Sequence, residues 1–165
     1  MIDFKGKTAI ITGGGRDIGR ACAIALGTHG ANVAINYHSS ADGAQSAVAE
    51  IVASGSNSFA MQGDVTSQED VQALIDRTIK EFGRVDILVH VSGGIVGRTP
   101  IADMSSDHWQ KVIDLNLTSF VNVSKAVIPH LNDGSSIVGL ASQAGRDGGG
   151  GGAAAYAASK GALMT

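Results

Sequence analysis

One stretch constrains the fold of this chain more than any other. Thr8 to Arg20, TAIITGGGRDIGR, runs from apolar residues through three consecutive glycines into a segment with helical periodicity. Ala9 to Ile11 reads as a buried strand. Gly13, Gly14 and Gly15 admit backbone angles closed to other residues and leave no side chain to hold a pyrophosphate away from the main chain. From Ile18 to His29, apolar residues recur at Ile18, Ala21, Cys22, Ala25 and Leu26, which predicts the inward stripe of a helix. The free N–H groups and positive dipole end of that helix would face a ligand resting on the glycines. A strand, glycine turn and helix can also be a plain turn, so the rest of the chain has to decide whether this is a dinucleotide site.

The alternation continues to the end of the chain. Gly30 closes the first helix, and Asn32 to Asn36 predicts a second strand. Ala41 to Ser54 predicts a helix with Ala44, Val48, Ile51 and Val52 inward. Phe59 to Gln62 is the third strand, ending at Gly63 and Asp64. Thr66 and Glu69 form a capping-box pattern before a helix whose apolar face is Val71, Leu74, Ile75, Ile79 and Phe82 and which stops at Gly83. Val85 to Val91 is a fourth strand, apolar on both faces, as in a parallel sheet covered by helices. A long helical periodicity covers Ser106 to Leu131, Ser136 to Leu140 is a fifth strand, and a helix begins near Ala153. The pattern predicts one dinucleotide-binding domain over residues 1–165, an α/β doubly wound parallel sheet of Rossmann-like type with strand order 3-2-1-4-5. Ligands then bind beyond the carboxyl ends of the strands, where the strand order reverses.

Composition narrows the partners. A 165-residue chain with 44% apolar content can bury a sizeable core. Its net charge is −3 and its twelve basic residues are dispersed, which argues against nucleic acid and anionic membranes and for a small-molecule ligand. No apolar run approaches the roughly 20 residues of a membrane span, and the amino terminus lacks the pattern of a signal peptide, so a cytoplasmic location is expected. The lone cysteine, Cys22, cannot form an internal disulfide and is expected to be a buried, inert thiol. Glycine is enriched, at 23 residues. Most fall at predicted strand ends; the run Gly148 to Gly152 is the exception and predicts a flexible loop in its middle.

Four residues are candidates for chemistry. Tyr156 and Lys160 lie four apart on a helix and share a face about one turn apart. An ammonium close to a phenol favours the phenolate, which suits Tyr156 to acid–base work. Such a pair can equally be a solvated face. Ser142 follows the fifth strand, where a hydroxyl would point into the same cleft. Asn116 lies in DLNLTSF, inside the long helix, where asparagine costs helix propensity and needs a reason; a kink or an ordinary polar contact is the alternative.

Together these residues resemble the amino-terminal two thirds of a short-chain dehydrogenase/reductase of the classical type. Thr12 to Gly19, TGGGRDIG, is similar to the family's TGxxxGxG; Asp64 in GDV is similar to its strand-end Asp; Asn116, Ser142 and the Tyr156–Lys160 pair complete the set in the family's order. AGRDGGG and YAASKGA resemble reductases of the 3-oxoacyl carrier-protein type. The resemblance implies hydride transfer between a nicotinamide cofactor and a carbonyl or alcohol, with a 3-oxoacyl thioester as one substrate class. Tyr156 would protonate the carbonyl oxygen and Ser142 would hydrogen-bond it. Lys160 would assist Tyr156 and, with it, hold the nicotinamide ribose. Asn116 would anchor a water in the proton path. The implied cofactor contacts are Gly13, Gly15, Arg16, Asp17, Ile18 and Gly19 in the first turn, then Tyr37, His38 and Ser39 after the second strand. Asp64 and Val65 would meet the adenine, unless Asp64 is simply a turn former, and Val91, Ser92 and Gly93 would follow. A homo-oligomer, tetramer or dimer, is implied as well. The other reading is a non-catalytic dinucleotide-binding fragment lacking a substrate lid.

Charge favours NADP(H) over NAD(H). The end of the second strand, Asn36 to Ser39, carries no carboxylate to select a free ribose 2′-hydroxyl, and Arg16 adds a positive charge in the glycine loop; otherwise Arg16 is a solvated loop residue. Two departures from the family pattern stand out. Asp17 occupies a motif glycine, and HVSGG, His90 to Gly94, replaces NNAG. The five histidines lack ligand spacing, so no metal is expected. Thr165 follows Lys160 by only five residues, so the family's last two strands and substrate-covering segment fall beyond it, and a chain of roughly 250 residues is expected.

Overall fold

The computed structural model of the protein describes residues 3–165. Its strands are β1 (Thr8–Thr12), β2 (Asn32–Tyr37), β3 (Ser58–Gln62), β4 (Ile87–His90) and β5 (Ser136–Gly139). They form one sheet in the expected order, β3-β2-β1-β4-β5, and every adjacent pair is parallel. The helices are α1 (Asp17–Thr28), α2 (Ala41–Ala53), α3 (Gln68–Phe82), α4 (Ser106–Ile113), α5 (Ser119–Val127), α6 (Ala144–Asp147) and α7 (Ala154–Ala162). Strand order reverses between β1 and β4, where Thr12 lies in register with His90. Among the described residues, no helix is long and apolar enough to cross a membrane.

Alternation along the strands divides the core into two layers. Ile10, Ala34 and Leu88 face α3 and α5 through Val71, Leu74, Ile75, Val123 and Val127. Ala9, Ile11, Val33 and Ile35 face α1 and α2 through Ala23, Ala44, Ala47 and Ile51. All of β1 is therefore buried, which explains its unbroken apolar reading.

Helix α1 exists as expected, but its inward face is different. Gly19, Ala23 and Gly27 are the buried residues; Ile18 is 54% exposed, Ala21 and Ala25 are exposed, and Cys22 and Leu26 are half-buried. Cys22 is thus not the fully buried thiol expected. The reason is close approach. A Cβ on Gly27 would lie 2.5 Å from Ile51 of α2, and one on Gly19 would lie 2.2 Å from the Gly13 carbonyl. Small residues mark the centre of this interface, and the larger apolar residues flank it. In α2 the expected Ala44 and Ile51 are buried, joined by Ala47, whereas Val52 is 53% exposed.

Three other expectations change in detail. The cap of α3 is Ser67, directly before Gln68, and its Oγ accepts from the Asp70 amide; Thr66 instead donates its amide and hydroxyl to Asp64. The long helix divides into α4, a π-helical turn at Asp114–Thr118 and α5, followed by a 3-10 turn at Ile128–His130. The glycine run after α6 is tied by its carbonyls to Arg98.

Candidate active site

The turn after β1 is built by backbone contacts. Gly13 adopts φ +65°, and the Gly14 amide donates to the Asn36 carbonyl at 2.9 Å. With no Cβ at Gly19, the first turn of α1 seats directly on Gly13. Above it lies a groove of about 820 Å³ along the carboxyl ends of the strands, of the size of a small-molecule or cofactor site. Gly13, Gly15, Arg16, Asp17, Ile18, Tyr37, His38, Ser39, Asp64, Val65, Val91, Ser92 and Gly93 all line it. Of the expected cofactor residues, Gly19, Tyr156 and Lys160 do not. Asp107, Gln110, Lys111 and Asp114 also line the groove. Their i, i+3, i+4 and i+7 spacing is legible in the sequence, but reads there as the solvent face of a helix.

Glycines in a turn with close backbone approaches, a helix amino terminus and a groove free of β2 carboxylates fit a dinucleotide well. Asp17, in the place of a motif glycine, has φ +46°. Its side chain is 81% exposed and lies 3.8 Å from the Arg16 guanidinium. Asp64 is a turn former as well as a lining residue, since its Oδ1 accepts from the amide and hydroxyl of Thr66, each at 2.8 Å. The Thr66 amide bond, with the hydroxyl and the nearby His38, holds the Asp64 carboxyl below its ordinary value despite partial burial.

Behind Gly93, Asn116 occupies the π-helical turn and is wholly buried. Its Oδ1 accepts from the Gly94 amide at 2.9 Å, and its Nδ2 donates to the Gly94 carbonyl at 2.8 Å and to Val112 at 2.9 Å. The helix distortion is thus the alternative weighed for this residue, and its amide grips the loop after β4. Lys160, 3% exposed, donates from Nζ to the Leu140 carbonyl at 2.7 Å, and Leu140 lines the groove. A Cβ on Gly93 would lie 2.7 Å from Asn116 Oδ1 and 3.1 Å from Lys160 Nζ, so only glycine lets these two side chains pack so closely under the loop after β4. Burial lowers the Lys160 pKa. The Tyr156 ring centroid is 5.8 Å from Nζ, within cation–π range. Ser142 Oγ accepts from the Ala144 amide at 3.2 Å.

A family model described as short chain dehydrogenase matches residues 7–165. The chain belongs to the short-chain dehydrogenase family. It is 38% identical over 165 residues to a 3-oxoacyl-[acyl-carrier-protein] reductase of Synechocystis sp., covering 99% of this chain and 66% of that protein. It is 36% identical over 160 residues to a versicolorin reductase of Emericella nidulans, covering 97% and 60%. Among solved structures, a short-chain dehydrogenase of Burkholderia cenocepacia in complex with NADP superposes with TM-score 0.92 at 37% identity, over 99% of this chain and 66% of that one. An NADH-dependent reductase complexed with NAD gives TM-score 0.91 at 32% identity, over 97% and 69%. The chain thus spans about 60 to 66% of the length of these curated relatives.

Within this chain, His90 is a structural hub. It is 1% exposed, with Nδ1 3.1 Å from Thr12 Oγ1 and Nε2 3.2 Å from Ser119 Oγ. Ser119 donates its proton to the Leu115 carbonyl, so it accepts from His90 Nε2–H, and Nδ1 is left to accept from the Thr12 hydroxyl. Thr12 Oγ1 in turn accepts from the amides of Val91 and Ser92 at 3.2 and 3.3 Å. One directional chain therefore joins the glycine turn, the loop after β4 and the π-helical turn that carries Asn116. Burial, then the charge of Lys160, lowers the His90 pKa to about 4, which keeps the imidazole neutral as this chain requires.

Proposed function

We propose that this chain is the dinucleotide-binding part of an NADP(H)-dependent oxidoreductase that reduces a carbonyl, with a 3-oxoacyl thioester as the favoured substrate class. The observation that carries the reading is the convergence of Asn116 and Lys160 on Gly93, which lines the same groove as the glycine turn. The bound nicotinamide would supply the hydride. Tyr156 donates its phenolic proton to the carbonyl oxygen, and Ser142 hydrogen-bonds that oxygen as charge builds. Lys160 sets its ammonium 5.8 Å from the Tyr156 ring centroid, while Asn116 fixes the loop at Gly94.

The cofactor preference rests on charge. Tyr37, His38 and Ser39 line the groove without a carboxylate, and Arg16 stands beside them. These features favour a 2′-phosphate. In this reading residues 1–165 act as one binding unit, in the cytoplasm and as a homo-oligomer. A second reading, a non-catalytic dinucleotide-binding fragment, is favoured by one feature: Ser142 and Tyr156 are not among the residues that line the groove.

The two readings separate in one assay. NADPH consumption with an acetoacetyl thioester is expected to fall by at least a hundredfold in Tyr156→Phe, with NADPH binding retained. Equal turnover in the variant contradicts the role of Tyr156. Saturable NADPH binding with no turnover in the parent protein supports the fragment reading.

A further inference from the structure

The glycine run that reads as a flexible spacer is a shaped receptor for one side chain. Gly148, Gly149, Gly150 and Gly152 have φ of +84°, +69°, +78° and +72°, a left-handed path closed to most other residues. Along it the carbonyls of Gly149 and Gly151 converge on a single nitrogen, Arg98 Nη1, at 3.0 and 2.9 Å. Beside this contact the Thr99 amide donates to the Gly152 carbonyl at 2.9 Å. The two backbones approach so closely that a Cβ on Gly152 would lie 2.9 Å from the Thr99 nitrogen and 3.1 Å from the Arg98 carbonyl carbon. Four of the five consecutive glycines therefore satisfy the left-handed path, and Gly152 also satisfies the backbone contact.

The contact joins the two segments that carry the candidate chemistry. Arg98 lies in the loop after β4, which is gripped at Gly94 by Asn116. The glycine run ends at the amino terminus of α7, whose first turn holds Tyr156, and Gly145 of α6 packs against Gly161 of the same helix. We propose that Arg98 is a positioning residue: by binding the Gly149 and Gly151 carbonyls it locks the segment from Ser142 to Tyr156 onto the loop after β4 and so sets the height of Tyr156 over the groove. The catalytic consequence rests on the function proposed above; the lock itself does not. Arg98 does not line the groove, so cofactor affinity stands outside its effect.

The test compares the parent protein with Arg98→Gln, Arg98→Lys and Gly152→Ala by hydrogen exchange over residues 148–155, by NADPH calorimetry and by steady-state reduction of an acetoacetyl thioester. In Arg98→Gln, exchange over that segment is expected to rise about tenfold and kcat to fall about tenfold, with the NADPH Kd unchanged within twofold. Arg98→Lys retains a cation between the two carbonyls and lies between parent and Gln variant. Gly152→Ala reproduces the exchange effect with Arg98 intact. Unchanged exchange in both Arg98→Gln and Gly152→Ala overturns the lock. Faster exchange with unchanged kcat overturns the positioning role. A parent protein that binds NADPH but reduces nothing refutes the catalytic reading alone, and the exchange result then decides the lock.

Discussion

His90 shows how one residue sets the conditions under which the site exists. Its neutral imidazole accepts from Thr12 and donates to Ser119, so protonation at Nδ1 turns an acceptor into a donor facing a hydroxyl that already takes two amides. The unfolded state takes up this proton near pH 6.5 and the folded state only near pH 4. Stability from His90 is therefore complete above about 6.5 and declines as pH falls to about 4, by about 3 kcal/mol in all. His90→Leu is expected to flatten that slope in urea denaturation between pH 7 and 4. It is also expected to lower stability at pH 7 by about 1–3 kcal/mol, because Thr12 and Ser119 lose their partner. A parallel slope in the variant would assign the pH dependence elsewhere. Asp17 is the second case. Its left-handed φ favours glycine, while its place in the first turn of α1 favours a carboxylate. These oppose each other, so Asp17→Gly is expected to change stability by less than about 1 kcal/mol. NADPH binding should tighten about fivefold as a like charge leaves the cradle, measured by calorimetry. Both residues were visible in the sequence as departures from a motif. The hydrogen bonds of His90 were not, because Thr12 and Ser119 are remote from it in the chain and only the β1–β4 register and the π-helical turn bring them together.

Among the elements, the strands and helices were legible wherever burial followed a period. β1 read as a strand because both its faces are covered, and α3 because its apolar face is continuous. The face of α1 was misread because Gly19 and Gly27 carry no hydrophobic signal, although they are where the helix makes its closest contacts. The π-helical turn at Asp114–Thr118 was foreshadowed only by an asparagine in an unfavourable place. Its role is to turn the Asn116 amide toward the loop after β4 while its own Nδ2 also satisfies the Val112 carbonyl. Asn116→Ala removes one buried and two partly buried hydrogen bonds and takes the side-chain partner from Gly94. The expected cost is about 2–4 kcal/mol in urea denaturation, with faster hydrogen exchange at the Gly94 amide. A cost below about 0.5 kcal/mol with unchanged exchange would mean that the loop holds itself.

For the whole molecule, the two ends of the sheet are held by different chemistry. At the amino end, the buried Asp86 carboxylate accepts from the Thr8 amide at 3.0 Å and pairs with Lys7 and Arg84. Burial would raise its pKa, but Arg84, the Thr8 amide and Lys7 outweigh it and the value is lowered. Its contribution is present above the unfolded value near 3.9 and is lost as pH falls through the lower folded value, so acid unfolding is expected to steepen below the range where His90 acts. Asp86→Asn should remove this lower limb and cost about 1–3 kcal/mol at pH 7. A retained limb in acid titration would point to other carboxylates. At the carboxyl end the sheet opens into the groove, where the glycine turn, the carboxylate-free end of β2 and Arg16 are proposed to hold a dinucleotide with a 2′-phosphate. The most direct measurement is calorimetric titration of the protein with NADPH and with NADH under identical conditions. Saturable binding of both at one site, at least tenfold tighter for NADPH, is the predicted result; no binding of either, or equal affinity for the two, contradicts it.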